Sequence, residues 1–135
     1  MIFLVVDAAY ERAFAAIDSD SRNEMLVLVL VLVLVLALAL ADETGTTVLG
    51  CLQATYIPGL GKHGAERALI EAVRVRADRR GAGLGRELIK RAVERARERG
   101  CALVQLTSNK RRTEAHRFYA SLGFERSHDG FKLAL

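Results

Sequence analysis

Apolar and polar positions change their rhythm several times along this chain, and each rhythm predicts an element. Over residues 83–99 the apolar positions Leu84, Leu88, Ile89, Ala92, Val93 and Ala96 recur at helical spacing, with Lys90, Arg91, Glu94, Arg95, Glu98 and Arg99 on the opposite side. That is the strongest helix signal in the chain, and Gly100 supplies its stop. Residues 7–17, where Ala8, Phe14, Ala15 and Ile17 stand among polar neighbours, predict a shorter helix that ends in the polar run DSDSRNE. Thr113 can cap a third helix that runs to Leu122 and ends at Gly123. The segments VLGCLQATYI, ALIEAVRVRA and CALVQLTS predict strands, and FERSHDGFKLAL predicts two short strands about a turn at Asp129-Gly130. Helix, strands, helix, strand, helix and hairpin in that order predict an α/β fold around one mixed sheet.

One stretch obeys none of these rhythms. Residues 26–41 read LVLVLVLVLVLALALA, without a polar atom in any side chain. With Met25 the run touches the lower limit for a transmembrane helix, about 17 residues. As one strand it would reach about 56 Å, whereas a domain of this size has a radius of gyration of about 14 Å. Some of it must therefore protrude, bend, turn helical or meet a partner. Strict alternation of two residues is what slippage on a short DNA repeat produces, so the run reads as a low-complexity expansion inside a pre-existing strand. A membrane span is the rival reading. An uncharged β-prone run is also an aggregation hazard, and it carries no chemistry.

A length of 135 residues leaves room for one domain spanning 1–135. A net charge of +4 and a pI near 9.4 point to anionic company, whether nucleic acid, a lipid surface or a phosphorylated small molecule. Two cysteines, Cys51 and Cys101, are too few for a disulfide scaffold or a cysteine metal site, and each sits in an apolar run. A reducing, cytoplasmic setting follows as the expectation. The opening MIFLVV lacks the basic region and cleavage site of a signal peptide. His63 and His116 have no partners at ligand spacing, so no metal site is expected. The arginines of the long helix read as a solvated face.

The stretch RRGAGLGREL lies between a predicted strand and the amphipathic helix, where backbone amides at a helix N-terminus gather to hold an anion. Gly81, Gly83 and Gly85 allow a ligand close to the backbone, and Arg79, Arg80 and Arg86 supply positive charge. A phosphate site is the functional reading, and a plain glycine turn is the bland one. Two common nucleotide motifs drop out. Arg86 stands where G-x-G-x-x-G needs its third glycine, and no G-K-[ST] follows for a P-loop.

Two blocks together resemble a known family. R-x-x-G-x-G, here Arg80, Gly83 and Gly85, is similar to the pyrophosphate signature of the GNAT superfamily of N-acetyltransferases, and AHRFYASLGFE resembles its C-terminal signature, one helix and one strand further on. The resemblance covers residues 46–135 well and the first helix loosely. It implies the acyl-CoA N-acyltransferase fold, a mainly antiparallel central sheet flanked by helices, here lacking most of the usual first strand and first helix. It implies acetyl-CoA as cosubstrate, with backbone groups of Val73, Arg74 and Val75 meeting the pantetheine arm. The pyrophosphate would rest on Arg80, Gly81, Ala82, Gly83, Leu84, Gly85 and Arg86. An amide near Val75 would serve the oxyanion, and Tyr119 stands at the position often used as general acid.

Glu71 is the candidate base, acting through water, because period-two alternation puts it on one strand face with Val73 and Val75. The competing readings are a Glu71 that faces solvent or pairs with Arg67 or Lys62, and a Tyr119 that is a core aromatic. Transfer of acetyl to a primary amine, on a small molecule or a peptide, is the expected activity, with no nucleic acid or membrane partner. A non-catalytic CoA-binding remnant is the alternative, since the short N-terminus puts the acceptor wall in question. The family often dimerises, so a homodimer is open. Ala77 replaces the family's frequent proline, and Arg112 its frequent asparagine.

Overall fold

The computed structural model describes residues 7–31 and 46–135. They fall into two compact units, Met1–Gln105 and Leu106–Leu135. In the first unit, helix α1 (Ala8–Ser19) begins where Asp7 caps it, its carboxylate accepting from the Ala9 amide at 2.7 Å. A tight turn held by Arg22 on the Asp20 carboxylate, at 3.0 Å, then delivers strand β1 (Asn23–Val31).

β1 pairs antiparallel with β2 (Thr46–Ile57), and β2 pairs antiparallel with β3 (Arg67–Val75). Helix α2 (Leu84–Arg99) leads to β4 (Leu103–Leu106), giving the sheet order β1-β2-β3-β4. The repeat's first six residues, 26–31, belong to β1; its remainder, 32–41, on which the expansion reading turns, and the opening MIFLVV lie outside the described residues. No described helix is long and apolar enough to cross a membrane.

Alternation sets the core. Leu52, Ala54 and Tyr56 of β2 and Ala68 and Ile70 of β3 are all buried, and Leu88, Ile89, Ala92 and Ala96 of α2 close over them. Burying each large aliphatic side chain in this layer contributes about 1.5–3 kcal/mol. Two arginines fasten the helix to the sheet. Arg95 grips Glu24 of β1 with two bonds of 2.8 and 3.0 Å. Arg99 bonds Glu66 at 2.7 Å and the Ser21 carbonyl at 3.2 Å, with its guanidinium 4.2 Å from the Tyr56 ring centre.

The second unit holds helix α3 (Thr113–Ser121). Thr113 is its first helical residue and does not cap it; Arg112 occupies the cap position and makes no side-chain cap bond. Asn109 orders the approach instead. Its side chain accepts from the Arg111 amide at 2.9 Å, and its carbonyl meets His116 Nε2 at 2.9 Å. The expected C-terminal hairpin does not form among the described residues, since residues 124–135 carry no strand. Phe131 and Leu133 are almost wholly exposed, so the alternation has no layer to bury against, and a lone hairpin is marginal without one.

Candidate active site

β3 ends at Val75, and the chain turns at once. The Arg76 amide bonds the Leu49 carbonyl at 2.8 Å, and the Arg76 guanidinium clasps Asp78 at 2.7 and 3.0 Å. A short 3-10 turn, Ala77–Arg79, follows. Gly81 and Gly83 then adopt φ of +85° and +80°, which only glycine takes without strain. Gly83 is the N-cap of α2 and brings no side chain to the first-turn amides. Its carbonyl accepts from Glu87 at 3.1 Å, so the helix is fully started without a side-chain bond from its cap residue. Among the described residues, a Cβ on Gly81 or Gly83 would meet nothing within 4 Å. Arg79 and Arg80 stand exposed beside it. A first turn without a side-chain cap, the positive end of a 16-residue helix and two guanidiniums fit a diphosphate.

Upstream of this turn the strand is irregular. Gln53 pairs with Glu71, but Cys51 pairs with Arg74, so β3 carries one residue more than β2 across the same span. Ala72 takes up the extra residue at φ +53°. This overturns the alternation expected for Glu71. Cross-strand partners share a face, so Glu71 and Arg74 lie on the face of Gln53 and Cys51. Val73 and Val75 change over to the face of Ile70, toward α2. The sequence could not show this, because the residue that turns left-handed is an alanine and not a glycine or asparagine. Neither Arg67 nor Lys62 pairs with Glu71 among the described residues, and Glu71 is exposed. β4 is four residues long and is joined to β3 at its start, Ala102 N to Glu66 O at 2.9 Å, so the bulged end of β3 runs past it.

Gly50 was missed by reasoning from motifs, and its signal was a glycine inside a strand. It pairs with Val75, and a Cβ there would lie 2.7 Å from the Arg74 carbonyl oxygen and 3.0 Å from Leu88 Cδ1. Gly50 thus sets how closely β2 approaches the functional end of β3.

Within its own unit, Tyr119 is half-buried on α3, with edge-on contacts to Phe118 at 5.2 Å and Phe124 at 5.9 Å. Burial pushes its phenol above the usual tyrosine value, partly offset by the Arg112 charge. It therefore holds its proton at neutral pH. His63 sits exposed in a left-handed turn with Lys62 and Gly64. The basic face of α2 is partly neutralised by its own acids, Arg91 reaching Glu94 at 3.0 Å and Glu98 at 3.6 Å. Among the described residues no three His, Cys, Asp or Glu side chains gather as a metal site would require.

The family model described as the acetyltransferase (GNAT) family matches residues 6–124. Aminoalkylphosphonate N-acetyltransferase of Salmonella typhimurium is 43% identical over 56 residues, which is 42% of this chain and 36% of that enzyme. The chain thus spans about a third of the length of that curated relative. A structure from Bacillus halodurans, described as a transcriptional regulator, is 39% identical with a TM-score of 0.80, over 96% of this chain and 77% of that one. Glucosamine-6-phosphate N-acetyltransferase from Arabidopsis thaliana shares the fold at 18% identity, with a TM-score of 0.74 over 99% of this chain and 82% of its own. The mixed α/β sheet, the open glycine turn at the head of α2 and a match that runs through both compact units agree: the chain belongs to the GNAT acetyltransferase family.

Proposed function

We propose that this chain transfers an acetyl group from acetyl-CoA to the primary amine of a small molecule. The observation that carries the reading is the N-terminus of α2 at the left-handed Gly83, without a side-chain cap, preceded by Arg79, Arg80 and the left-handed Gly81, where among the described residues a Cβ on either glycine would touch nothing. Family members typically draw acetyl from acetyl-CoA, and the residues from Arg80 to Arg86 suit its pyrophosphate. Val73, Arg74 and Val75 would face the pantetheine arm with their backbone, and an amide near Val75 would take the oxyanion. Both compact units belong, on this reading, to one domain, because the family model runs through them.

The chemistry needs three proton movements. The acceptor ammonium first loses a proton, through water, to Glu71, whose exposed carboxylate has no partner among the described residues. The amine nitrogen then bonds the thioester carbon, the carbon–sulfur bond breaks, and the nitrogen sheds its second surplus proton to water, from which the Tyr119 phenolate regains the proton it gives up. Tyr119 protonates the departing thiolate, a role its raised and protonated phenol suits. Glu71 serves here from the face opposite Val73 and Val75, so water and not direct contact links it to the thioester.

Calorimetric titration with acetyl-CoA, against its desulfo and dephospho analogues, tests the first half. Saturable binding that weakens without the phosphates is expected, and Gly83→Glu should abolish it by placing a side chain and a negative charge at the anion site. Retained binding by a folded Gly83→Glu chain overturns the phosphate assignment. Binding without turnover of any amine identifies a CoA-binding remnant instead.

A further inference from the structure

Resting on the acetyl-transfer reading, we infer that the acceptor is a short zwitterion, an amine whose chain also carries an anionic group, with Glu71 facing its ammonium and Arg74 facing its anion.

The bulge at Ala72 creates the arrangement. In a regular strand Glu71 and Arg74 would point to opposite faces, but the extra residue puts both on the face of Gln53 and Cys51. Their partners on β2 are two residues apart, so the two charges originate about 7 Å apart along the sheet. Both residues are exposed. Opposite charges at that spacing would ordinarily pair, yet no Glu71–Arg74 ion pair forms among the described residues. Among the described residues, only Arg74 is held by a contact of its own. Arg74 turns back on its own strand, with Nη1 bonded to the Val73 carbonyl at 3.0 Å, which leaves most of its donors free. Gln53, the neighbour best placed to occupy Glu71, gives its amide instead to Asn23 Oδ1 at 3.2 Å. Asn23 Oδ1 also accepts from Thr55 at 2.8 Å, which fixes it on the β1 side.

One face therefore presents a separated carboxylate and guanidinium beside the bulged segment that the acetyl group would meet. An isolated amine satisfies only the carboxylate. An amine with a carboxylate or phosphonate at the other end of a short chain satisfies both, and a planar guanidinium binds either anion through two parallel N–H groups.

The test compares three acceptors of equal chain length, an alkylamine, an amino acid and an aminoalkylphosphonate, by product formation with acetyl-CoA. The anionic amines should show kcat/KM about 10- to 100-fold above the alkylamine, the scale of one charge-assisted contact. Arg74→Ala should collapse that ratio toward one, Arg74→Lys should restore part of it, and Arg74→Glu should invert it. The carboxylate and phosphonate arms report which anion is preferred. A ratio near one in the parent chain, or a ratio that survives Arg74→Ala, overturns the inference and leaves acetyl transfer standing. Calorimetric binding of the phosphonate acceptor supplies a readout independent of turnover. Arg74-dependent binding with no acetylation of any amine supports the zwitterion site and overturns the acetyl-transfer reading.

Discussion

Gly50→Ala isolates the contact on which the bulged end of β3 depends. The added methyl would lie 2.7 Å from the Arg74 carbonyl oxygen, a backbone atom that cannot rotate away, and 3.0 Å from Leu88 Cδ1, which can yield only against the core. Relief requires β2 and β3 to separate by several tenths of an ångström. Overpacking of this kind costs about 1–3 kcal/mol. The unfolded chain loses freedom when glycine becomes alanine, which returns about 0.4–1 kcal/mol. The net expectation is a loss of about 1–2 kcal/mol. With a urea slope of about 2 kcal/mol/M, the unfolding midpoint should fall by about 0.5–1 M. Because Gly50 pairs with Val75, the same displacement moves the backbone proposed to meet the pantetheine arm, so acetyl-CoA affinity should fall as well. Urea melts and calorimetric titration of the same preparations measure both effects. A variant with unchanged midpoint and unchanged affinity would show that the two strands relax freely there, and the reasoning from close approach would be wrong.

Tyr119→Phe should lower kcat about 100-fold or more while acetyl-CoA still binds. The alkaline limb of the parent's pH–rate profile should lie above the usual tyrosine value of about 10 and disappear in the variant, since burial raises this phenol. Unchanged kcat removes Tyr119 as the acid. Tyr56 also has a raised phenol, chiefly through burial, and its hydroxyl is buried without a hydrogen-bond partner among the described residues. A raised folded pKa stabilises fully below the unfolded value and is lost as pH climbs through the folded one, so stability should decline above about pH 10. Tyr56→Phe should make that decline shallower and leave neutral-pH stability equal or higher by up to about 1 kcal/mol. Thermal melts from pH 8 to 11 measure it, and a steeper alkaline decline in the variant refutes the assignment. Ala72→Gly should relieve about 1 kcal/mol of left-handed strain, partly cancelled by glycine's greater freedom when unfolded. A marked destabilisation in urea would mean that the left-handed alanine is not strained.

What was legible in the sequence followed from periodicity and from glycine. α2 showed itself through its spaced apolar residues and through Gly83 and Gly100 at its two ends, both of which adopt left-handed φ. β2 and β3 showed as β-rich runs, and their buried positions alternate as the pattern requires until the bulge. The phosphate turn was legible because glycine is the residue a left-handed backbone demands. Ala72 was not, for the converse reason: an alanine in that conformation leaves no mark in the sequence, and one hidden residue reversed the face assigned to Glu71. Thr113 misled because a good capping residue one position late cannot cap. The terminal hairpin misled because alternation in Phe131, Leu133 and Leu135 predicts a strand only where something exists to bury them.

The count of residues in β3 has an arithmetic consequence. Glu71 lies opposite Gln53 and Val75 opposite Gly50, four steps against three. Deleting Ala72 would make the numbers equal, and every pair from Gln53 to Gly50 would close into an unbroken ladder. By every criterion of sheet design the shortened strand is the better strand, free of its left-handed alanine and its unpaired residue. It would also return Glu71 and Arg74 to opposite sides of the sheet only if the register slipped; held in register, both charges stay where they are and the backbone between them loses its kink. Such a deletion separates two things the natural chain has joined, the placement of the charges and the shape of the main chain beside them. A folded deletion variant that binds the zwitterion yet fails to acetylate it would assign the chemistry to the kink itself.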